Sequence, residues 1–166
     1  MKKRILSILV DNTAGVLSRV AGLFSRRGYN IDSLTVGETA DPRFSRMTVV
    51  ATGDDQVLEQ ITKQLAKQVD VRDIKVLKPD QSVNRELMLI KVRVNSDQRA
   101  NVIAVSRIFR ANIIDVGPRS LIIELIGTQS KLDAFVKLLE GYEILELART
   151  GTTGLSRGMD DVRYLD

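Results

Sequence analysis

One pattern of apolar residues is written twice along the 166-residue chain, and this duplication limits the folds open to it more than any other feature. In the first copy, residues 5–10 form a short apolar run that stops at the turn-forming pair Asp11-Asn12. A stripe of Val16, Leu17, Val20, Leu23 and Phe24 follows at helical spacing, with Arg19, Arg26 and Arg27 turned away from it. Gly28 stands where the helix must stop, as a residue tolerant of left-handed geometry. Residues 31–36 alternate as a strand, 39–42 make a turn, and 44–51 alternate again. Gly53-Asp54-Asp55 opens a second helix with Val57, Leu58, Ile61, Leu65 and Val69 on one face, and residues 71–77 close the unit as a strand.

The second copy begins after Lys78-Pro79-Asp80-Gln81-Ser82, a polar stretch with linker character. Met88, Ile90, Val92 and Val94 alternate in a strand, and Val102, Val105, Ile108 and Phe109 stripe a helix. Strands over 113–116 and 121–126 flank Pro118; Leu132, Phe135, Val136 and Leu139 mark the next helix, and 144–148 the last strand. Pro42 and Pro118 fall in the same hairpin of each copy, where a missing amide donor does little harm. Gly53 and Gly127 each form the turn feeding the second helix of their copy.

Strand-helix-strand-strand-helix-strand, read twice, predicts an α+β chain of two tandem ferredoxin-like βαββαβ domains. The boundaries are placed at 1–78 for the first domain, 79–84 for a linker, 85–158 for the second domain and 159–166 for a tail expected to be disordered. Domains this small bury limited surface by themselves, so association with another chain is expected. In such a domain both helices cover one sheet face and leave the other face or an edge strand free. Leu87 and Leu89 lie in the outward set of the second copy's first strand, and exposed apolar residues on a sheet point to a partner.

The chain has no cysteine and no histidine, which excludes disulfides, thiolate and Ser-His-Asp catalysis, and zinc sites built on those ligands. Asp54-Asp55 and Asp160-Asp161 are adjacent carboxylates, but one pair reads as a helix start and the other as a polar tail, so no catalytic residue and no metal ligand is assigned. Lys and Arg exceed Asp and Glu by four, but the charges are interspersed, and nucleic acid is not the expected partner. RNA recognition on this topology needs stacking aromatics on the central strands; residues 43–51 offer one Phe and 71–77 none. No apolar run approaches the ~20 residues of a membrane span. Residues 5–10 behind the basic Met1-Lys2-Lys3-Arg4 are too short for a signal-peptide core, so a cytoplasmic protein is expected.

Asp11-Asn12-Thr13-Ala14-Gly15-Val16-Leu17 is a strand-to-helix turn. Amides at a helix start point outward unpaired, and the helix dipole adds positive potential, which favours a carboxylate there. Gly15 has no Cβ, so a ligand backbone can approach closely, and Asn12 offers both an amide and a carbonyl. Ordinary capping by Asp, Asn or Thr accounts for the same residues, and spacing alone does not choose between the two. Nor does it for Gly28-Tyr29-Asn30, where a glycine cap before a strand is common.

The run from Asp11 to Val36 resembles an ACT domain, and within that superfamily the amino terminus of acetohydroxyacid (acetolactate) synthase small subunits. Glu86-Leu-Met-Leu-Ile-Lys-Val92, Ile108-Phe-Arg, Ile113-Ile-Asp-Val116 and the run Ala148-Arg-Thr-Gly-Thr-Thr-Gly-Leu-Ser-Arg-Gly158 are similar to the same family, in register. The resemblance implies a non-catalytic regulatory subunit without cofactors of its own. Its partner would be a catalytic large subunit that uses thiamine diphosphate, FAD and magnesium. It also implies a homodimer through the ACT domains that binds valine for feedback inhibition of branched-chain amino-acid biosynthesis. Asn12, Thr13, Ala14, Gly15, Val16 and Leu17 of one chain, with Asn30 and Ile31 of the other, would hold the valine. A free-standing ACT-type sensor acting on another enzyme is the alternative; the second domain and the Gly-Leu-Ser-Arg-Gly run argue against it.

Overall fold

The computed structural model describes residues 2–159, which form two compact units: residues 2–84 with 152–159, and Arg85–Gly151. The first unit holds β1 (Lys2–Asp11), α1 (Val16–Arg26), β2 (Asn30–Glu38), β3 (Phe44–Gly53), α2 (Asp55–Ala66) and β4 (Val71–Leu77). Its strands pair antiparallel in the order β2-β3-β1-β4, which makes β2 and β4 the edges. Leu6 lies opposite Val49 and Ile8 opposite Met47, so one apolar set from each central strand faces the same way. That set meets Val16, Val20, Leu23 and Phe24 of α1 and Leu58, Ile61 and Leu65 of α2 in a single core. Burial of each such side chain contributes about 1.5–3 kcal/mol, enough to fix which face of the sheet the helices cover.

The chain continues through a one-turn 3-10 helix (Pro79–Gln81) into β5 (Ser82–Arg93), then α3 (Ser96–Ile108), β6 (Asn112–Val116), β7 (Ser120–Gly127), α4 (Gln129–Leu138) and β8 (Glu143–Arg149). These strands pair in the order β6-β7-β5-β8, the first unit's arrangement again. Met88, Ile90, Val92, Leu121, Ile123 and Leu125 pack against Val102 of α3 and Leu132, Phe135 and Leu139 beside α4. Two tandem ferredoxin-like arrangements are thus present, as the duplicated pattern predicts.

Three local expectations differ from what is observed. Val69 lies beyond the end of α2 and is 89% exposed, because the helix stops at Ala66 and a turn feeds β4. Ile108 is 78% exposed at the end of α3, and Phe109 takes the inward place, its ring edge-on to Phe135 at 5.3 Å. The stretch expected to be a linker, residues 79–84, is ordered structure. Ser82 is buried and donates its hydroxyl to the Lys78 carbonyl at 2.6 Å, and β5 already begins there.

The return of the chain is the feature that periodicity does not reveal. After β8, Gly151 adopts a left-handed φ of 85° and residues 152–158, expected with the second domain, join the first unit. A ninth strand, β9 (Thr153–Ser156), pairs with β5 and lies over β3 and β4. The Arg157 amide donates to the Gln81 carbonyl at 2.8 Å, and Thr35 of β2 donates its hydroxyl to the Thr152 carbonyl at 3.3 Å. The face of the first sheet turned away from its helices is therefore partly roofed by the chain itself. The tail expected to be disordered falls largely on residues 160–166, which lie outside the described residues.

Candidate functional site

The turn between β1 and α1 is held from several sides. The Asp11 amide donates to the Asp70 carbonyl and the Asn12 amide to the Arg43 carbonyl, both at 2.8 Å. The Asp11 carboxylate takes two bonds from Arg72, at 2.7 and 3.0 Å, and this pairing raises the Arg72 pKa above its usual value. The β2–β3 hairpin beside it is clasped by Asp41 and Arg43. The Arg43 side chain bonds Asp41 most strongly, its backbone amide adds a further bond, and together they hold the Asp41 carboxyl below the ordinary carboxylate range.

Within this frame the start of α1 is open. Gly15 is its N-cap, with φ 85°, and no side chain accepts from the first-turn amides; no acidic residue stands in that turn. The other three α-helices are each closed by a side chain: Asp54 accepts from the Val57 amide, Asn95 from Gln98 and Thr128 from Lys131. The contrast is sharpest at α3, the counterpart of α1 in the second copy. There Asn95 and Gln98 form a reciprocal capping box, and Arg99 donates to the Gly117 and Pro118 carbonyls. The same topological position is sealed in one copy and unsealed in the other.

Polar groups of both signs flank the open start. Arg19, one turn into α1, reaches back so that a Cβ on Gly15 would lie 2.9 Å from its terminal nitrogen, while its Nε bonds Asp70 at 2.6 Å. Asn12 donates its side-chain amide to Glu38 at 3.2 Å and to the Pro42 carbonyl at 3.0 Å. Those bonds orient the Asn12 carboxamide and leave its oxygen without a donor among the described residues. Val16 is buried in the core below, whereas Thr13, Ala14 and Leu17 are exposed at the turn. An arrangement of helix-start amides with a guanidinium on one side, and an amide oxygen with a carboxylate on the other, is suited to a zwitterion.

Asn30 and Ile31 lie elsewhere in the same chain. Asn30 is in register with Thr52, at the sheet end where Lys2 pairs with Gly53, whereas Glu38 pairs with Ser45 next to Asp11 and Phe44. Eight strand residues separate the two ends, roughly 26 Å at strand rise. The eight residues singled out by sequence therefore form two groups: Asn12 to Leu17 at one end of the sheet, and Asn30 with Ile31 at the other, on the edge strand. Arg19, Glu38 and Asp70, which border the first group, were not singled out by sequence.

Among the described residues no cluster of three or more His, Cys, Asp or Glu is placed to hold a metal ion, and no helix is long and apolar enough to cross a membrane. Residues 6–73 match the AHAS small subunit-like ACT domain, and residues 85–158 match the family of the small subunit of acetolactate synthase. The probable acetolactate synthase small subunit of Methanothermobacter thermautotrophicus is 52% identical over 155 residues, covering 93% of this chain and 92% of that protein. The acetolactate synthase isozyme 3 small subunit of Salmonella typhimurium is 52% identical over 157 residues, covering 94% and 96%. The chain belongs to the acetolactate synthase small-subunit family.

The crystal structure of the acetolactate synthase small subunit from Thermotoga maritima superposes with a TM-score of 0.89 at 42% identity, covering 96% of this chain and 99% of that one. The family match on the first unit spans the open helix start, and the match on the second spans the sealed one. In this small-subunit fold the ACT copy thus carries the unsealed turn, while its sister copy keeps the topology without the opening.

Proposed function

We propose that this chain is the regulatory subunit of an acetolactate synthase, cytoplasmic and non-catalytic, which activates a catalytic large subunit and makes it sensitive to valine. Thiamine diphosphate, FAD and magnesium would belong to that large subunit. The observation that carries the effector reading is the α1 start. It is the one α-helix start among the described residues without a side-chain cap, and it lies beside Arg19, Asn12 and Glu38. The valine carboxylate takes the helix-start amides near Gly15, the Val16 amide among them, its ammonium takes the Asn12 carboxamide oxygen, and Leu17 borders the aliphatic side chain.

Asn30 and Ile31 enter this site only from a second copy. β2 is an edge strand with unpaired backbone groups, a template for strand addition. If it pairs antiparallel with β2 of the other protomer about Leu34, Asn30 of each chain comes opposite Glu38 of the other. The site then belongs to the dimer, and the effector stabilises whichever arrangement of the protomers completes it. Feedback follows because that arrangement engages the large subunit differently; a ligand shifts such an equilibrium only by its differential affinity.

Calorimetric titration of the purified dimer with L-valine, beside D-valine and L-leucine, tests this. Saturable, stereospecific binding near one L-valine per chain supports it. A folded dimer that takes up no valine overturns the effector assignment. A chain that fails to raise the activity of an acetolactate synthase large subunit overturns the regulatory one. Leucine differs from valine by one methylene, worth about 1–3 kcal/mol in an apolar pocket, so weaker binding of leucine is expected rather than none.

A further inference from the structure

The face of the first sheet turned away from α1 and α2 contains a cavity of about 290 Å³ under the returning segment. Ser7 and Leu9 of β1, Arg46 of β3 and Asp73, Lys75 and Leu77 of β4 form its floor, and Leu155, Ser156 and Gly158 its roof. Arg46 is half-buried there and donates one N–H to the Ser7 hydroxyl at 2.7 Å. A guanidinium has five N–H donors. Among the described residues no carboxylate lies within ion-pair distance of Arg46 or of Lys75. Asp73 has a partner of its own. Arg46 and Lys75 thus set two cations, partly withdrawn from water and bordered by three leucines, beside an Asp73 that is already engaged.

We infer that this cavity is a second small-molecule site, for a monocarboxylate with a short branched apolar tail. A half-buried cation gains most from a charge-assisted bond, and a carboxylate matches the guanidinium fork. The ligand's negative charge meets Arg46 and Lys75, and Leu9, Leu77 and Leu155 receive the apolar end. An amino acid is excluded by its ammonium group, which would be set against Arg46 and Lys75. The site is therefore distinct from the α1 start in position and in chemistry, and does not rest on the effector reading. Its occupant meets the returning segment directly, so binding ties residues 155–158 to the floor of the sheet.

The test is an amide ¹⁵N–¹H NMR titration of the full chain with sodium isobutyrate at constant ionic strength, with isobutyramide as the uncharged control. Saturable shifts at Ser7, Leu9, Arg46 and Leu155 are expected with the carboxylate and not with the amide. Arg46→Gln, which keeps a donor for Ser7, weakens binding at least tenfold, and Lys75→Met weakens it in a chain whose sheet is untouched. L-valine shifts none of these resonances. No saturable shift in the wild-type chain, equal response to isobutyramide, or undiminished binding by both cation variants overturns the proposal.

Discussion

The side-chain amide of Asn12 donates to the carboxylate of Glu38 across 3.2 Å, tying the turn after the first strand to the end of the edge strand β2. The two residues are far apart in sequence, and neither is buried. Their contact makes one end of β2 part of the open helix start. A change in how β2 is paired is therefore felt at Asn12.

Gly15→Asp should give a chain that still activates the large subunit but no longer confers valine inhibition. The new carboxylate takes the helix-start amides itself and repels the ligand's. Asp is among the few side-chain-bearing residues that tolerate left-handed φ, a geometry that costs other residues about 1–2 kcal/mol. Activity of the reconstituted complex across a valine series reads the outcome; normal inhibition at the wild-type concentration would place the effector elsewhere.

Asn30→Ala should weaken valine about fivefold, near 1 kcal/mol for one hydrogen bond, with the melting temperature nearly unchanged because Asn30 is exposed. Valine affinity by calorimetry, beside a thermal melt, checks both halves. Unaltered affinity would reduce Asn30 to a strand-start residue.

Arg149→Met should destabilise the protein by about 3–5 kcal/mol, the cost of leaving a buried charge unpaired. Glu86 is only 6% exposed and accepts two bonds from Arg149, at 2.8 and 3.0 Å, while Arg149 also reaches Asp133 at 2.6 Å. Adding Glu86→Leu should recover much of the loss. Chemical denaturation of the single and double variants decides it, and a fully additive pair would show that the two side chains act separately.

Gly154→Ala should lower stability by about 1–3 kcal/mol, the usual range for overpacking. A Cβ at this position would overlap the Asn84 side-chain oxygen and lie 3.0 Å from a Leu77 methyl. Asn84→Ala in the same chain should relieve most of the clash. Equal melting of wild type and Gly154→Ala would mean that the returning segment lifts off at little cost.

Lowering the pH should release the Asp41–Arg43 clasp late. The folded-state pKa of Asp41 lies below the ordinary 3.8, so its stabilising contribution is complete above 3.8 and is lost as pH falls through the lowered folded value. Carboxyl-detected NMR should give Asp41 a midpoint below 3.8; a midpoint at or above it would mean the clasp is not formed in solution.

Both helix-bearing faces were legible because Met47 and Val49 in one unit and Met88, Ile90 and Val92 in the other lie in alternating strands, while Val16, Val20, Leu23 and Phe24 recur at helical spacing, and periodicity reports burial directly. The turn at Asn12 to Leu17 was legible as a group for a related reason: it is continuous in sequence. Glu38, Arg19 and Asp70 were not, since each is an ordinary surface charge until β2, α1 and the turn before β4 are folded together. The β9 strand was missed because Thr153-Gly154-Leu155-Ser156 has a single large apolar residue and no alternation to read. Arg46 shows the same limit, since an outward-facing charge on a strand looks solvated until a distant segment is laid over it.

Because residues 152–158 rejoin the first unit, the second unit is, in chain order, an insertion within the first rather than an appendage to it. A fragment that stops at Asn84 is then not a domain released from its neighbour. It is a sheet that has lost a strip of its own roof, with the floor around Ser7, Leu9 and Leu77 newly open to water. Shortening the chain from its carboxy end should wound the amino-terminal sheet first, and loss of regulation in such a fragment would report that injury as much as the absence of the second unit.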